Sequence, residues 1–253
     1  MEPTAPQRLN RYLAASGLGS RRGCEELVRQ GRVTINGTTA ENLAQRVAPQ
    51  DAVKVDGRTV KPQAAVTIIL NKPPGYLSST RSQGKKPTVF SLLPKLPYRL
   101  FHVGRLDADS EGLLLLTSDG DLAQRLTHPG HGFPKIYLAT LDKPFDFSRA
   151  QRLVRGMRIE GKDARFEAVW ASGRRTIRIE LRQGIKRQIR TMLLYSGYEV
   201  QRLVRIQFGP LHLGTLKSGE WRLLSENEIR TLKNPPPPRP RRRPPPRTGG
   251  AAS

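Results

Sequence analysis

The chain has 253 residues, enough for one medium domain and a small one, each with its own core. Its 44 Lys and Arg against 21 Asp and Glu give a formal net charge of +23 at pH 7, an excess that fits a polyanionic partner because each phosphate contact releases a condensed counterion. The lone Cys24 excludes an intramolecular disulfide and a cysteine-rich zinc site, and no apolar run approaches membrane-spanning length.

The charge is distributed as about +3 over residues 1–60, +14 over 61–232 and +6 in the tail, so the basic character belongs to the folded body as well as to the tail. The N-terminal run Met1–Asn10 has no signal-peptide core, and a soluble, cytoplasmic protein is expected.

Taken in chain order, Leu9, Tyr12 and Leu13 recur at helical spacing, and Gly17–Ser20 ends that helix and caps the next. Cys24, Leu27 and Val28 supply the apolar stripe of a second helix, closed by Gly31. Val33–Gly37 and Ala52–Gly57 both read as a strand running into an Asn-Gly or Asp-Gly turn. Arg8, Arg11, Arg21, Arg22 and Arg32 lie on the polar side of this unit, and five arginines around two short helices point to RNA phosphate contact over a solvated face.

Beyond Lys61-Pro62-Gln63, Val66–Asn71 is an apolar strand stopped by the turn Lys72-Pro73-Pro74-Gly75. Val89–Leu93 fits one or two helical turns, and Asp119–Leu126 a helix capped by Asp119. Lys135–Leu141, 164–170 and 175–181 alternate like strands; 183–196 has helical spacing, and 199–206 is a strand after the Gly197 stop. This mixture predicts an α+β fold with a largely antiparallel sheet. From Lys233 the sequence turns to proline and arginine without apolar residues and cannot form a core.

Chemistry concentrates in two stretches. In Gly104-Arg105-Leu106-Asp107-Ala108-Asp109-Ser110-Glu111-Gly112 three acids precede the apolar run Leu113–Leu116. Paired carboxylates suit glycoside hydrolysis or a magnesium site, but a basic chain fits poorly with a carboxylate cage. One functional carboxylate is read here, and Asp107 is the most sheltered; the alternative, Asp107 pairing Arg105 to fix the turn, stays open on spacing alone. The second stretch is Gly184–Met192, where helical spacing would put Lys186, Arg187 and Arg190 on one face and Ile185, Ile189, Met192 and Leu193 on the other. Tyr137 shares a strand face with Lys135, as a core aromatic or as a ring that stacks on a base. The four histidines show no ligand spacing, Gln83–Thr88 lacks the features of a phosphate-binding loop, and no dinucleotide fingerprint occurs. No cofactor or metal is implied.

Together these motifs resemble the ribosomal pseudouridine synthases of the RsuA/RluB type. The likeness rests on Gly104–Asp107 with Gly112–Thr117 and Asp119-Gly120, on Asn71–Gly75, Lys135–Tyr137, Lys186–Arg190 and Gly209–Leu211, in the family's order. The N-terminal unit resembles the small RNA-binding domain found in these enzymes, in a ribosomal small-subunit protein and in some tRNA synthetases. The resemblance implies isomerisation of uridine to pseudouridine, with Asp107 as nucleophile, Arg190 as its ion-pair partner, Tyr137 packed on the target base and Arg105 filling the gap left by the flipped uridine. Lys135, Lys186 and Arg187 join the N-terminal arginines as expected RNA contacts. Pro134, Thr191 and Gly23-Cys24 depart from the family pattern at RNA-contact and loop positions.

The expectation is a small helix-helix-hairpin RNA-binding domain over 7–62, a mixed, largely antiparallel synthase domain over 64–232, and a disordered tail over 233–253. The partner is ribosomal RNA, large-subunit favoured over small, or an assembly intermediate; the protein acts as a monomer, with no membrane and no small-molecule cofactor. Two rivals are a non-catalytic assembly factor that keeps the fold, and a nucleoside hydrolase using Asp107 and Glu111.

Overall fold

The computed structural model describes residues 5–80, 82–96, 99–128, 130 and 132–234. The tail read from Lys233 therefore lies, beyond Asn234, outside the described residues.

The first unit contains β1 (Gln7–Arg8), α1 (Leu9–Ala15), α2 (Arg21–Arg29), β2 (Val33–Ile35), β3 (Thr38–Thr39), β4 (Arg46–Val47), β5 (Val53–Val55) and β6 (Arg58–Thr59). Ser20 Oγ accepts the Gly23 amide at 3.0 Å and starts α2, as a serine in extended backbone before a helix does. The stripe of Leu9, Leu13, Cys24 and Val28 closes on Val33 and Val53 in one small core. The sheet runs β3-β2-β5-β6, its hairpins turning at Asn36-Gly37 and Asp56-Gly57 with positive φ at all four residues.

The second unit contains β7 (Thr67–Lys72), β8 (Phe101–Val103), β9 (Glu111–Thr117), α3 (Gly120–Thr127), β10 (Lys135–Leu141), α4 (Ala150–Arg155), β11 (Met157–Ile159), β12 (Lys162–Ala164), β13 (Ala168–Ala171), β14 (Thr176–Leu181), α5 (Gln188–Tyr195), β15 (Val200–Phe208), β16 (Leu211–His212), β17 (Trp221–Leu223) and α6 (Glu226–Lys233). Its main sheet follows β13-β14-β10-β15-β9-β7-β17, with β8 on β9 and β16 on β15. Among the described strands of this sheet β15 runs parallel to β9, and the other pairings are antiparallel. The α+β, largely antiparallel expectation holds.

Alternation sorts the sheet's side chains into two cores. On one face Ile68, Leu70, Leu114, Leu116, Tyr137, Ile179 and Leu203 pack with α4, α5 and the 89–106 segment. On the other, Ile69, Leu113 and Leu115 meet Leu122 and Leu126 of α3 and Leu232 of α6.

Three elements differ from the sequence reading. The strand expected over 164–170 is broken: Ala164 ends β12, Ala168 begins β13, and between them buried Phe166 donates its amide to Leu153 O. The helix expected over 183–196 begins only at Gln188, because Arg187 adopts a left-handed conformation (φ 51°) and the Gln183 side chain bonds across to Arg165 N and Gln188. Lys186, Arg187 and Arg190 therefore do not share a helical face. Helix α6 carries the body one residue past the expected boundary at 232; its signal was Ser225 and Glu228, a capping box.

The parallel crossing of β15 over β9 fixes one residue type. Gly112 stands opposite Arg205 with φ 101°, and a Cβ there would lie 2.3 Å from Arg205 O and 2.8 Å from its N. Gly104 also has positive φ (69°) but open space around it. Gly112→Ala should therefore cost at least about 3 kcal/mol of stability or prevent folding, and Gly104→Ala only the left-handed strain of about 1 kcal/mol. Urea unfolding of the two variants checks this; equal losses would contradict the crossing.

Candidate active site

The loop between β8 and β9 is tied down from beneath by Lys72. This residue ends an apolar strand (Thr67–Leu70 buried), so its side chain is drawn into the core and is fully buried. Its ammonium, Nζ, donates to Ser110 O at 2.7 Å, Pro73 O at 3.0 Å and Ala108 O at 3.2 Å. Gly75 N donates to Ala108 O at 2.7 Å, and Ser110 N closes a turn on Asp107 O at 3.0 Å. Buried Ser78 Oγ donates to Leu106 O at 2.9 Å and accepts from Leu106 N at 3.2 Å. The backbone on both sides of Asp107 is thus fixed by groups from the 72–78 turn. Burial pushes the Lys72 ammonium down to about 8, against the opposing pull of Asp109, Glu111 and Asp107.

The three acids are treated differently. Asp109 is gripped by the start of α5: Arg187 Nη1 and Nη2 donate to its two carboxylate oxygens at 3.3 and 3.1 Å. Arg190 Nε lies 3.2 Å from Asp109 Oδ2 without hydrogen-bond alignment, and Arg190 Nη2 donates to Asp109 O at 3.1 Å. Partial burial raises the Asp109 carboxyl, but the Arg187 bond and the Arg190 and Arg187 charges outweigh it and hold the group below the usual carboxylate range. Glu111 takes a two-point contact from Arg202, at 3.0 and 2.8 Å. The half-buried Asp107 carboxylate makes no hydrogen bond or ion pair among the described residues. The Arg190 partner implied by the resemblance was Asp107; here Arg190 holds Asp109 and, through Nη1, Val200 O at 2.6 Å. The alternative of an Asp107–Arg105 pair is not formed, and Arg105 is exposed.

Tyr137, 8% exposed, faces the α5 side of the sheet opposite Arg205 in the register. Arg205 is 1% exposed; Nε donates to Leu113 O at 2.7 Å, Nη1 to Tyr137 Oη at 3.5 Å, and Nη2 has no partner among the described residues. Neither Lys72 nor Arg205 was assigned a role from sequence. The signal was available, since a lysine closing an apolar strand and an arginine on the inward side of an alternating one must both find buried acceptors.

The expected RNA contacts divide. Arg8, Arg22, Arg105 and Lys186 are exposed. Lys135 instead turns inward, donating to Arg182 O at 3.1 Å and Gln183 O at 3.5 Å, and burial, aided by the Arg205 and Arg182 charges, pushes it to about 8. Arg32 is held by Asp56 through bonds of 2.9 and 2.6 Å. Arg11 and Arg21 (3.4 Å) both reach Asp121 in the first turn of α3 and so link the two units. Among the described residues no cluster of three or more His, Cys, Asp or Glu could hold a metal, and no helix is long and apolar enough to cross a membrane.

A family model described as RNA pseudouridylate synthase matches residues 66–195, and an S4 domain model matches 7–53. An uncharacterized RNA pseudouridine synthase of Aquifex aeolicus is 40% identical over 231 residues, covering 89% of this chain and 93% of that protein. The chain belongs to the RNA pseudouridine synthases. The dual-specificity RNA pseudouridine synthase RluF of Escherichia coli is 37% identical over 232 residues, covering 90% of this synthase and 79% of RluF. A crystal structure of a pseudouridylate synthase aligns with TM-score 0.64 at 27% identity over 89% of this chain and 99% of that one. The protein is thus an isomerase acting on RNA, with an S4 domain ahead of its catalytic sheet.

Replacing the buried tether tests its part in the site. Lys72→Met leaves three carbonyls short of a donor and should cost about 3 kcal/mol at pH 7 while slowing turnover. Between about pH 8 and 10.5 the unfolded chain binds more protons at Lys72 than the folded one, so stability rises with pH there, and the wild-type advantage over Lys72→Met should widen. Urea unfolding of both proteins across that window reads it; a constant gap would contradict the buried ammonium.

Proposed function

We propose that this synthase isomerises a uridine of ribosomal RNA to pseudouridine with Asp107 as nucleophile. The observation that carries the assignment is the unpaired state of the Asp107 carboxylate. Of the three acids in the motif, Asp109 and Glu111 are spent on arginines, whereas Asp107 is free to attack and its backbone is locked from below. An aspartate attacks as its anion, and no arginine of the motif ties up the Asp107 oxygens that would do so.

In the reaction the bond from uracil N1 to the ribose anomeric carbon breaks and a bond from C5 to that carbon forms. N1 gains a proton and C5 loses one, so atoms balance without oxidant or group donor. Asp107 attacks either the uracil ring or the anomeric carbon. Tyr137 packs on the flipped base and supports proton removal at C5, and Arg190 acts through Asp109, holding the loop against β15. Exposed Arg105 fills the vacated stack. Arg8, Arg22 and Lys186 meet phosphates; Arg11 and Arg21 on Asp121, Arg32 on Asp56, Arg187 on Asp109 and the inward Lys135, already engaged, contribute less to RNA than the sequence implied.

The domain limits proposed are 7–62 and 64–233, in keeping with the separate cores of the two units. Large-subunit RNA is favoured over small-subunit RNA on the arginine-rich composition after Lys233, free or in an assembly particle, with a cytoplasmic monomer acting.

The test is tritium release from ribosomal RNA labelled at uracil C5, free and in particles, with wild type and Asp107→Ala. Release by the wild type alone, at unchanged RNA mass, is expected. Release by both proteins would move the nucleophile elsewhere, and free uracil as product would indicate hydrolysis.

A further inference from the structure

Half of the catalytic sheet is covered on one side only. Along β14, Ile177, Ile179 and Leu181 are buried while Thr176, Arg178 and Glu180 are half-exposed; in β10, Ala139 and Leu141 are buried while Leu138 and Thr140 are half-exposed. The register places Trp170, Arg178, Leu138, Val204 and Glu111 in one row across β13, β14, β10, β15 and β9. At strand spacing that row is about 20 Å long. Tyr137 and Arg205 alternate to the opposite side, so the row lies on the back of the sheet, away from the catalytic residues.

The row has the composition of a nucleic-acid platform. Trp170 is 42% exposed, an unusual fate for a large ring on a monomer's sheet edge, and the Arg178 guanidinium stands 5.4 Å from its centroid. Arg178 Nε is buried without a hydrogen-bond partner among the described residues. Arg174 and Arg175, exposed in the adjoining turn, add positive charge. The acids of this face are already occupied, Glu180 by Arg182 at 3.7 Å and Glu111 by Arg202 at 2.8 Å.

We propose that this open face is a second RNA-contact surface of the synthase, on which Trp170 stacks an unpaired base while Arg174, Arg175 and Arg178 meet the flanking phosphates. The proposal rests on the reading of the chain as an RNA-modifying enzyme and extends it to substrate outside the target nucleotide. A second copy of the chain fits the face less well, because a two-fold contact would set the same unneutralised arginines against one another.

Fluorescence separates the occupants. Trp170 and Trp221 are the two tryptophans of the sequence. Titration with a single-stranded oligouridylate of about ten nucleotides should quench wild-type emission, and Trp170→Phe should lose most of that quench. Trp170→Ala should bind about 5- to 150-fold more weakly, the loss of one stacked base. Arg178→Gln should lower the slope of log affinity against log salt by about one. Unfolding midpoints close to wild type, expected for an exposed ring, show that the variants are folded. An undiminished quench in Trp170→Phe, or equal affinity of wild type and Trp170→Ala, overturns the proposal. So does a concentration-dependent dimer in sedimentation that Trp170→Ala abolishes, which would assign the face to a second copy. Quenching without tritium release on any RNA would instead end the synthase reading and leave the surface standing.

Discussion

One buried ammonium organises the catalytic end of this protein. Lys72 ends β7 on the inward side and meets three backbone carbonyls, two of them in the loop that carries the motif acids. A charge so placed cannot leave its acceptors without an uncompensated desolvation cost, so the loop cannot drift from the β7 turn. The Asp109 side chain supplies the second point of attachment, to Arg187 and Arg190 at the start of α5. Between these two anchors Asp107 is held by its backbone alone, with its carboxylate unspent. Rigid support beneath an unpaired carboxylate is what the proposed attack at a defined atom requires.

The same logic runs through the sheet. The parallel crossing of β15 over β9 brings strand backbones so close at Gly112 that no side chain fits, and Arg205 from that crossing is buried between Leu113 O and Tyr137 Oη. Tyr137 and Arg205 therefore lie on the face packed by α4 and α5, while the reverse face is half covered by α3 and α6 and half open. A basic chain of this kind presents cations on several surfaces, and those that matter for RNA are the ones not already neutralised. By that criterion Arg8, Arg22, Arg105 and Lys186 stand apart from Arg32, bound to Asp56, and from Lys135, bound to the backbone.

Much of the fold was legible because local signals agreed: Ser20 as a cap, Asn36-Gly37 and Asp56-Gly57 as turns, Lys135–Leu141 as a strand with these same limits. The start of α5 was not, because Ile185, Ile189 and the cations have helical spacing, whereas the left-handed Arg187 and the Gln183 side chain that end the run are settled by contacts distant in sequence. The motif located the three acids, but spacing cannot say which one an arginine takes when two of them lie in a turn. Asp109, and not Asp107, faces α5 for reasons of loop path. Lys72 and Arg205 were visible as charged residues on inward positions, and the question of where their donors go would have found them.

On the proposed mechanism two acids two residues apart divide the labour, one chemical and one structural. This division is tested most directly by single-turnover isomerisation of the same RNA by Asp107→Asn and Asp109→Asn. No detectable product is expected from Asp107→Asn, and a loss of about 10- to 100-fold from Asp109→Asn, which loosens the loop without removing the proposed nucleophile. A dead Asp109→Asn beside an active Asp107→Asn would contradict this division.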